Sequence, residues 1–286
     1  MLFSEEESEK LKYRHYELTF ECLNICTDFI RHQYKCEKSL EYVTQGISRR
    51  VKIIEACIDN IYEIAPLNQK EKLSKNNVTN LNINLHAFFI NIYGVLDNLS
   101  CIYLFEKDVK DIDNINIGLR KKQTTKHFSE NIKTALENKK DWLEYIENFR
   151  HALAHRIAPY VPPYRISEED KQKYDTLLKQ RDEILAEPYQ IKNKKNSLSQ
   201  QKIDKDNRID KINDKINEII GFCYFVTHSF TENPKYKYIC FQSQVLDDWY
   251  NLIYIIKVFM SELDIKINEN SHRSLPFDCW KSSLNN

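Results

Sequence analysis

Apolar residues recur along much of this chain at steps of three and four, the period of a helix with one buried face. Leu11, Leu18, Cys22, Ile25 and Phe29 mark such a stripe between about 5 and 35. A second helix is expected from about 38 to 64, closed by Pro66, and a polar, Asn-rich link around 75 to 82 follows. The most apolar run extends from Asn84 to Glu106. Residues 107 to 136 are polar and fit a loop with a short helix, ahead of a helix from about 137 to 157 that Pro159, Pro162 and Pro163 terminate. From Ser167 to Ile220 the chain turns to Lys, Asp, Glu, Gln and Asn. Within it, Ile209, Ile212, Ile216 and Ile219 form a coiled-coil-like seam. Two helices, near 168 to 187 and 197 to 220, are expected to pair as a charged antiparallel hairpin; a partly disordered insertion is the alternative. Gln242 to Leu263 returns to a strongly apolar helix through Val245, Leu246, Trp249, Leu252, Ile253, Ile256 and Phe259.

Composition sharpens this picture. With 286 residues but only 4 Gly and 7 Pro, the chain has too few turn formers for a many-stranded sheet. The expected fold is all-α, one domain over 1–286 with the 167–220 hairpin as an excursion. Asn91, Asp97, Asn98 and Ser100 interrupt the 84–106 run, and such groups are costly in lipid, so a buried core helix is expected and no membrane span. Lys257 argues the same way for the last helix. Lys+Arg and Asp+Glu balance at 42 each, so any contact with nucleic acid must come from a local patch. The acidic start, Met1 to Lys10, lacks the pattern of a secretory signal. Eight cysteines (Cys22, Cys26, Cys36, Cys57, Cys101, Cys223, Cys240 and Cys279) contain no Cys-x-x-Cys pair and read as mostly buried, reduced thiols of a cytoplasmic protein.

The chemistry concentrates in Phe149-Arg150-His151-Ala152-Leu153-Ala154-His155-Arg156-Ile157. An arginine can neutralise a phosphorane, and a histidine can move a proton. Together they supply what RNA cleavage without a metal requires. Spacing alone proves little, because with 11 arginines and 8 histidines such a pair arises about once by chance, and Arg120 with His127 forms another in a loop-like, Lys-rich stretch. Geometry adds more. At about 100° per residue, Trp142, Ile146, Phe149 and Leu153 share the core-facing arc, His151 and His155 share the opposite side, and Arg150 lies on the flank about 140° from His155. Ala152 and Ala154 would admit a close partner. An ordinary solvated helix face remains open, as does a zinc pair at His151 and His155, although no His-Glu-x-x-His order or third ligand accompanies it.

The Arg150-to-Ile157 segment with its Pro-rich sequel, together with His86-Ala-Phe-Phe-Ile-Asn91-Ile-Tyr93-Gly94-Val-Leu96-Asp97-Asn98-Leu99, resembles the HEPN superfamily over about residues 84 to 163. The resemblance implies a helical bundle that dimerises, bringing two Arg-x4-6-His motifs into one metal-independent endoribonuclease site, with no cofactor and no metal. It also implies a toxin or anti-phage defence setting, with an antitoxin or defence-system protein as a possible partner. Family members place a polar residue directly after the arginine, and His151 stands there. A tyrosine used for regulatory modification in some toxin pairs is replaced by Ile157. Some members are non-catalytic scaffolds that bind RNA or a partner protein, which is the rival reading. A third is an interaction protein acting through the charged hairpin.

In the mechanism so expected, His155 is general base or acid at the RNA 2′-hydroxyl or leaving oxygen, and Arg150 stabilises the pentavalent transition state. His151 is a second proton shuttle or a phosphate contact. Arg156, Asp97 and Asn98 are expected to support these groups or the fold. Asn84, Asn91 and Asn98 recur every seven residues on one stripe, with His86, Tyr93 and Asp97 beside them, and Gly94 leaves room for a neighbouring helix. Asp97 and Asn98 either satisfy one another within a buried hydrogen-bond network or orient the motif.

Overall fold

In a computed structural model, residues 3–110, 112–113, 116–188, 197–228 and 237–266 are described here, with the side chains of 197–199 left aside. The fold is all-α. Helix α1 (Glu5–Arg31) starts at a capping box, in which Ser4 accepts from the Glu7 amide and Glu7 reaches back to the Ser4 amide. It buries Leu18, Cys22, Ile25 and Phe29.

The expected helix from 38 to 64 is in fact α2 (Glu37–Glu41), a π-helical turn (Tyr42–Ile47) and α3 (Ser48–Ile64). The widened turn closes with the Ser48 amide donating to the Val43 carbonyl. It carries Gly46, where an added Cβ would fall 2.1 Å from Asn98 Nδ2. The missing side chain is thus what lets the next long helix approach.

That helix, α4 (Lys75–Glu106), is the central element and corrects one expectation: the Asn-rich 75–82 stretch is helical rather than a link. Ser74 caps it by accepting from the Asn77 amide, and Leu81 is fully buried, so capping and one anchor outweigh the modest helix propensity of asparagine. By length and composition α4 could cross a membrane, but 67% of the qualifying window is buried inside the protein.

The motif helix, α7 (Lys140–His155), starts close to its expected place, and the polar stretch before it holds the short α5 (Lys122–Thr125) and α6 (Glu130–Asn138). Helix α7 packs on α4 through Phe149, whose ring lies 4.6 Å from Phe89 and 4.8 Å from Tyr145. Beyond it, Arg156 is extended, the Pro159 carbonyl accepts from His86 Nε2 at 2.7 Å, and Asn82 Oδ1 accepts from the Val161 amide at 2.7 Å. The end of the motif is therefore pinned along α4.

Strand β1 (Arg165–Ile166) pairs antiparallel with β2 (Ile220–Gly221), closing the base of a hairpin formed by α8 (Lys171–Ala186) and α9 (Ser197–Ile219). The hairpin has its own small apolar seam of Leu177, Ile184, Ile212, Ile216 and Ile220, with Ile209 and Ile219 half-buried against it. Its expected tip, 189–196, lies outside the described residues. Strands β3 (Phe225–Thr227) and β4 (Tyr238–Cys240), which the hydropathy pattern does not signal, form a second antiparallel pair, and Thr227 also bridges Tyr160. Helix α10 (Phe241–Glu262) completes the core with Trp249, Ile256 and Phe259. Cys22, Cys57, Cys101 and Cys223 are buried free thiols and Cys26, Cys36 and Cys240 half-buried ones; Cys279 lies outside the described residues.

Candidate functional site

The helix-wheel reading of α7 places its chemistry. Trp142, Leu143, Tyr145, Ile146, Phe149 and Ala152 are buried, which leaves His151, Ala154 and His155 exposed and Arg150 half-buried at the edge. One expectation fails here: Ala152 points into the core at 1% exposure and offers no surface to a partner. The core arc is wider than four residues: α7 packs on α4, and its Trp142 and Tyr145 also reach Asp248 of α10. Leu153 accordingly sits at the rim, half-buried.

Arg150 rests on α4. Its guanidinium carbon lies 5.4 Å from the centre of the Tyr93 ring, a cation–π platform that keeps a charged group both oriented and accessible. Tyr93 is itself held: its hydroxyl donates to Glu147 Oε1 at 3.5 Å, and burial, reinforced by Asp97 and Glu147, pushes its pKa up to about 12. The phenol therefore stays neutral. His151 Nε2 faces the same Glu147 Oε1 at 3.8 Å, one helical turn away, and its ring centre is 6.1 Å from that of His155. His155 is the last residue of α7.

Arg120 joins this face. It occupies the turn before α5 and pairs with Glu147 Oε2, with Glu144 Oε1 a further 3.6 Å contact. The sequence offers Arg120 only as half of a chance Arg-to-His pair. Its position beside α7 comes from the turn after Gly118, where the Leu119 amide donates to Asp97 Oδ1 at 3.3 Å and Thr124 Oγ1 accepts from the Gly118 amide. Glu147 was equally missed, although its place four residues before His151 was legible as an (i, i+4) pair.

Asp97 and Asn98 do not serve one another. Asp97 lies on the motif side, where burial raises its pKa while the nearby Arg150, Lys121 and Arg50 charges and the Leu119 amide act against that rise. Asn98 faces the π-helical turn before α3, at Gly46. The asparagine stripe is an α3–α4 seam: Asn91 accepts from Arg50 Nη1 at 3.0 Å, and Asn84 from Asn60 Nδ2 at 2.9 Å. Arg50 lies flat against Gly94, where a Cβ would come within 2.5 Å of its guanidinium. Gly94 thus receives a side chain of the adjacent helix.

Arg156 is exposed, and its charge acts on His228, the residue after β3, whose pKa burial lowers. His228 packs on Phe149 with ring centres 4.8 Å apart, beneath the motif. No group of three or more His, Cys, Asp or Glu able to hold a metal occurs among the described residues, so the His151–His155 pair has no third protein ligand there. No family model, curated protein or solved structure matches this chain.

Proposed function

We propose that this chain is a metal-independent endoribonuclease of the HEPN type, acting as a homodimer in the cytoplasm and used in a toxin or anti-phage setting. The observation that carries the proposal is the exposed end of α7, where His151 and His155 stand side by side and Arg150 is braced on Tyr93, with no ion pair to it among the described residues. A cation and two imidazoles are sufficient for transesterification at phosphorus. The imidazoles take the 2′-hydroxyl proton and deliver one to the departing 5′-oxygen, and the guanidinium stabilises the charge that builds on the phosphorane. A second copy across a two-fold axis would double this set. An antitoxin or other defence-system protein covering the same face would then act as its off-switch.

Cleavage of a mixed RNA panel by wild type, His155→Ala and Arg150→Ala tests the reading. Loss of about 10² to 10⁴ in rate is expected for His155→Ala, with unchanged circular dichroism. Wild-type protein that binds these RNAs and leaves them intact would instead make the chain a scaffold.

A further inference from the structure

The carboxylate of Glu147 meets both Arg120 and the Tyr93–His151 side of the motif, and its two oxygens are divided between them. Oε2 is taken by Arg120. Oε1 is left to the Tyr93 hydroxyl at 3.5 Å and to His151 Nε2 at 3.8 Å. Arg120 is itself fixed from below, since its turn is anchored to Asp97 through the Leu119 amide. Glu147 is thus held by a guanidinium and a phenol, with its charge 3.8 Å from an imidazole nitrogen that is about half exposed, at ion-pair rather than hydrogen-bond distance. A carboxylate so placed favours the N–H form of the nitrogen that faces it, and leaves the other ring nitrogen as the basic one. Tyr93 meanwhile carries Arg150 on its ring.

We propose that Glu147 is a positioning residue that fixes the tautomer of His151, with Nε2–H toward Glu147 and Nδ1 free, and so makes His151 the base and His155 the acid of the pair. The chemical part rests on the ribonuclease reading above; the geometric part does not. In the assigned step the 2′-hydroxyl proton passes to His151 Nδ1 as the bond from the 2′-oxygen to phosphorus forms. The bond from phosphorus to the 5′-oxygen breaks, and a protonated His155 gives its proton to that oxygen. A 2′,3′-cyclic phosphate and a 5′-hydroxyl result, and exchange with water resets both imidazoles. His155 suits the acid role because no carboxylate among the described residues is paired with it, so its orientation is free to follow the leaving group. The arrangement also separates the duties of two adjacent cations: Arg120 holds Glu147, and Arg150 is left for the phosphate.

The test uses the full chain and two independent readouts. Long-range ¹H–¹⁵N spectra of the imidazoles report the tautomer without any substrate. Wild-type His151 is expected as the Nε2–H form, and Glu147→Gln, which has the same shape without the charge, is expected to give a mixture, with His155 unaltered. In cleavage assays Glu147→Gln should lower kcat by about 10- to 100-fold, the range for removing a group that orients a reacting imidazole. KM should not rise, because freeing Arg120 adds positive charge near the substrate. Glu147→Asp should recover part of the loss. Identical His151 tautomers in wild type and Glu147→Gln would overturn the assignment, as would a kcat within twofold of wild type. If the wild-type protein cuts no RNA, the ribonuclease reading falls by itself, and the spectra still decide whether Glu147 sets His151.

Discussion

A carboxyl group with no exposed surface joins the motif helix to α10. Asp248 Oδ1 accepts from Trp142 Nε1 at 3.0 Å and Gln244 Nε2 at 2.9 Å, and Oδ2 accepts from the Tyr145 hydroxyl at 3.0 Å. Burial raises its pKa from 3.8 to about 7, against the pull of those three donors. A raised folded-state pKa means that the folded state prefers the protonated acid. The stabilisation this brings is complete below about pH 4 and is lost as pH rises through about 7. Asp248→Asn, whose amide can donate to the Tyr145 oxygen, should therefore remove that loss: its thermal midpoint should gain on wild type between pH 5 and 8. A midpoint difference that stays constant over that interval would contradict the assignment. At Asn98 the expectation is purely structural. Asn98→Ala should cost about 1 to 3 kcal/mol through the packing of α4 on the π-helical turn, with cleavage per folded molecule unchanged. Denaturation midpoint and activity measured on the same preparation separate the two effects. The seven-residue stripe of asparagines was visible in the sequence, but Arg50, Asn60 and Gly46, its partners, lie 24 to 52 positions away, and no local pattern names them. Asp248 was hidden for the same reason: the Asp247-Asp248 pair in an apolar helix does not announce the Trp and Tyr that wait about a hundred residues upstream.

At the level of elements, periodicity served well where a helix has one buried face and failed where a cap or a single anchor decides. Helices α1, α8, α9 and α10 lie close to their expected spans, because their stripes are regular. The start of α4 was misplaced by about nine residues, since Ser74 and Leu81 outweigh a run of asparagines that reads as a link. The π turn leaves no periodic trace. Strands of two or three residues are below what alternation can signal. The hairpin of α8 and α9 keeps its apolar residues to itself and is tied to the body at β1–β2, through Phe222 to the Lys70 carbonyl, and through Lys72 to Asn217. Replacing 171–219 by a short Gly/Ser linker should leave the rest folded and, on the proposed reading, still able to pair with a second copy, while RNA choice or partner binding changes. Circular dichroism and light scattering of the deletion are the check, and global unfolding would show the hairpin to be part of the core.

For the whole molecule, large apolar side chains are exposed along α4 and just after the motif. Ile83 and Ile90 stand at 59% and 38% exposure on α4, at successive steps of seven before Asp97, and Ile157 follows the motif at 58%. A second copy seated there would cover these side chains and bring its own Arg150 and His155 close, a role that the buried Ala152 cannot fill. Ile90→Lys should therefore shift a micromolar dimer toward monomer in light scattering and lower cleavage in proportion. Monomer with full activity per chain would remove the two-fold site. If these side chains cut RNA without a metal, wild-type protein incubated with RNA in excess chelator should cleave it undiminished and leave 2′,3′-cyclic phosphate ends; cleavage that stops with the chelator, or that leaves 5′-phosphates, would contradict the proposal.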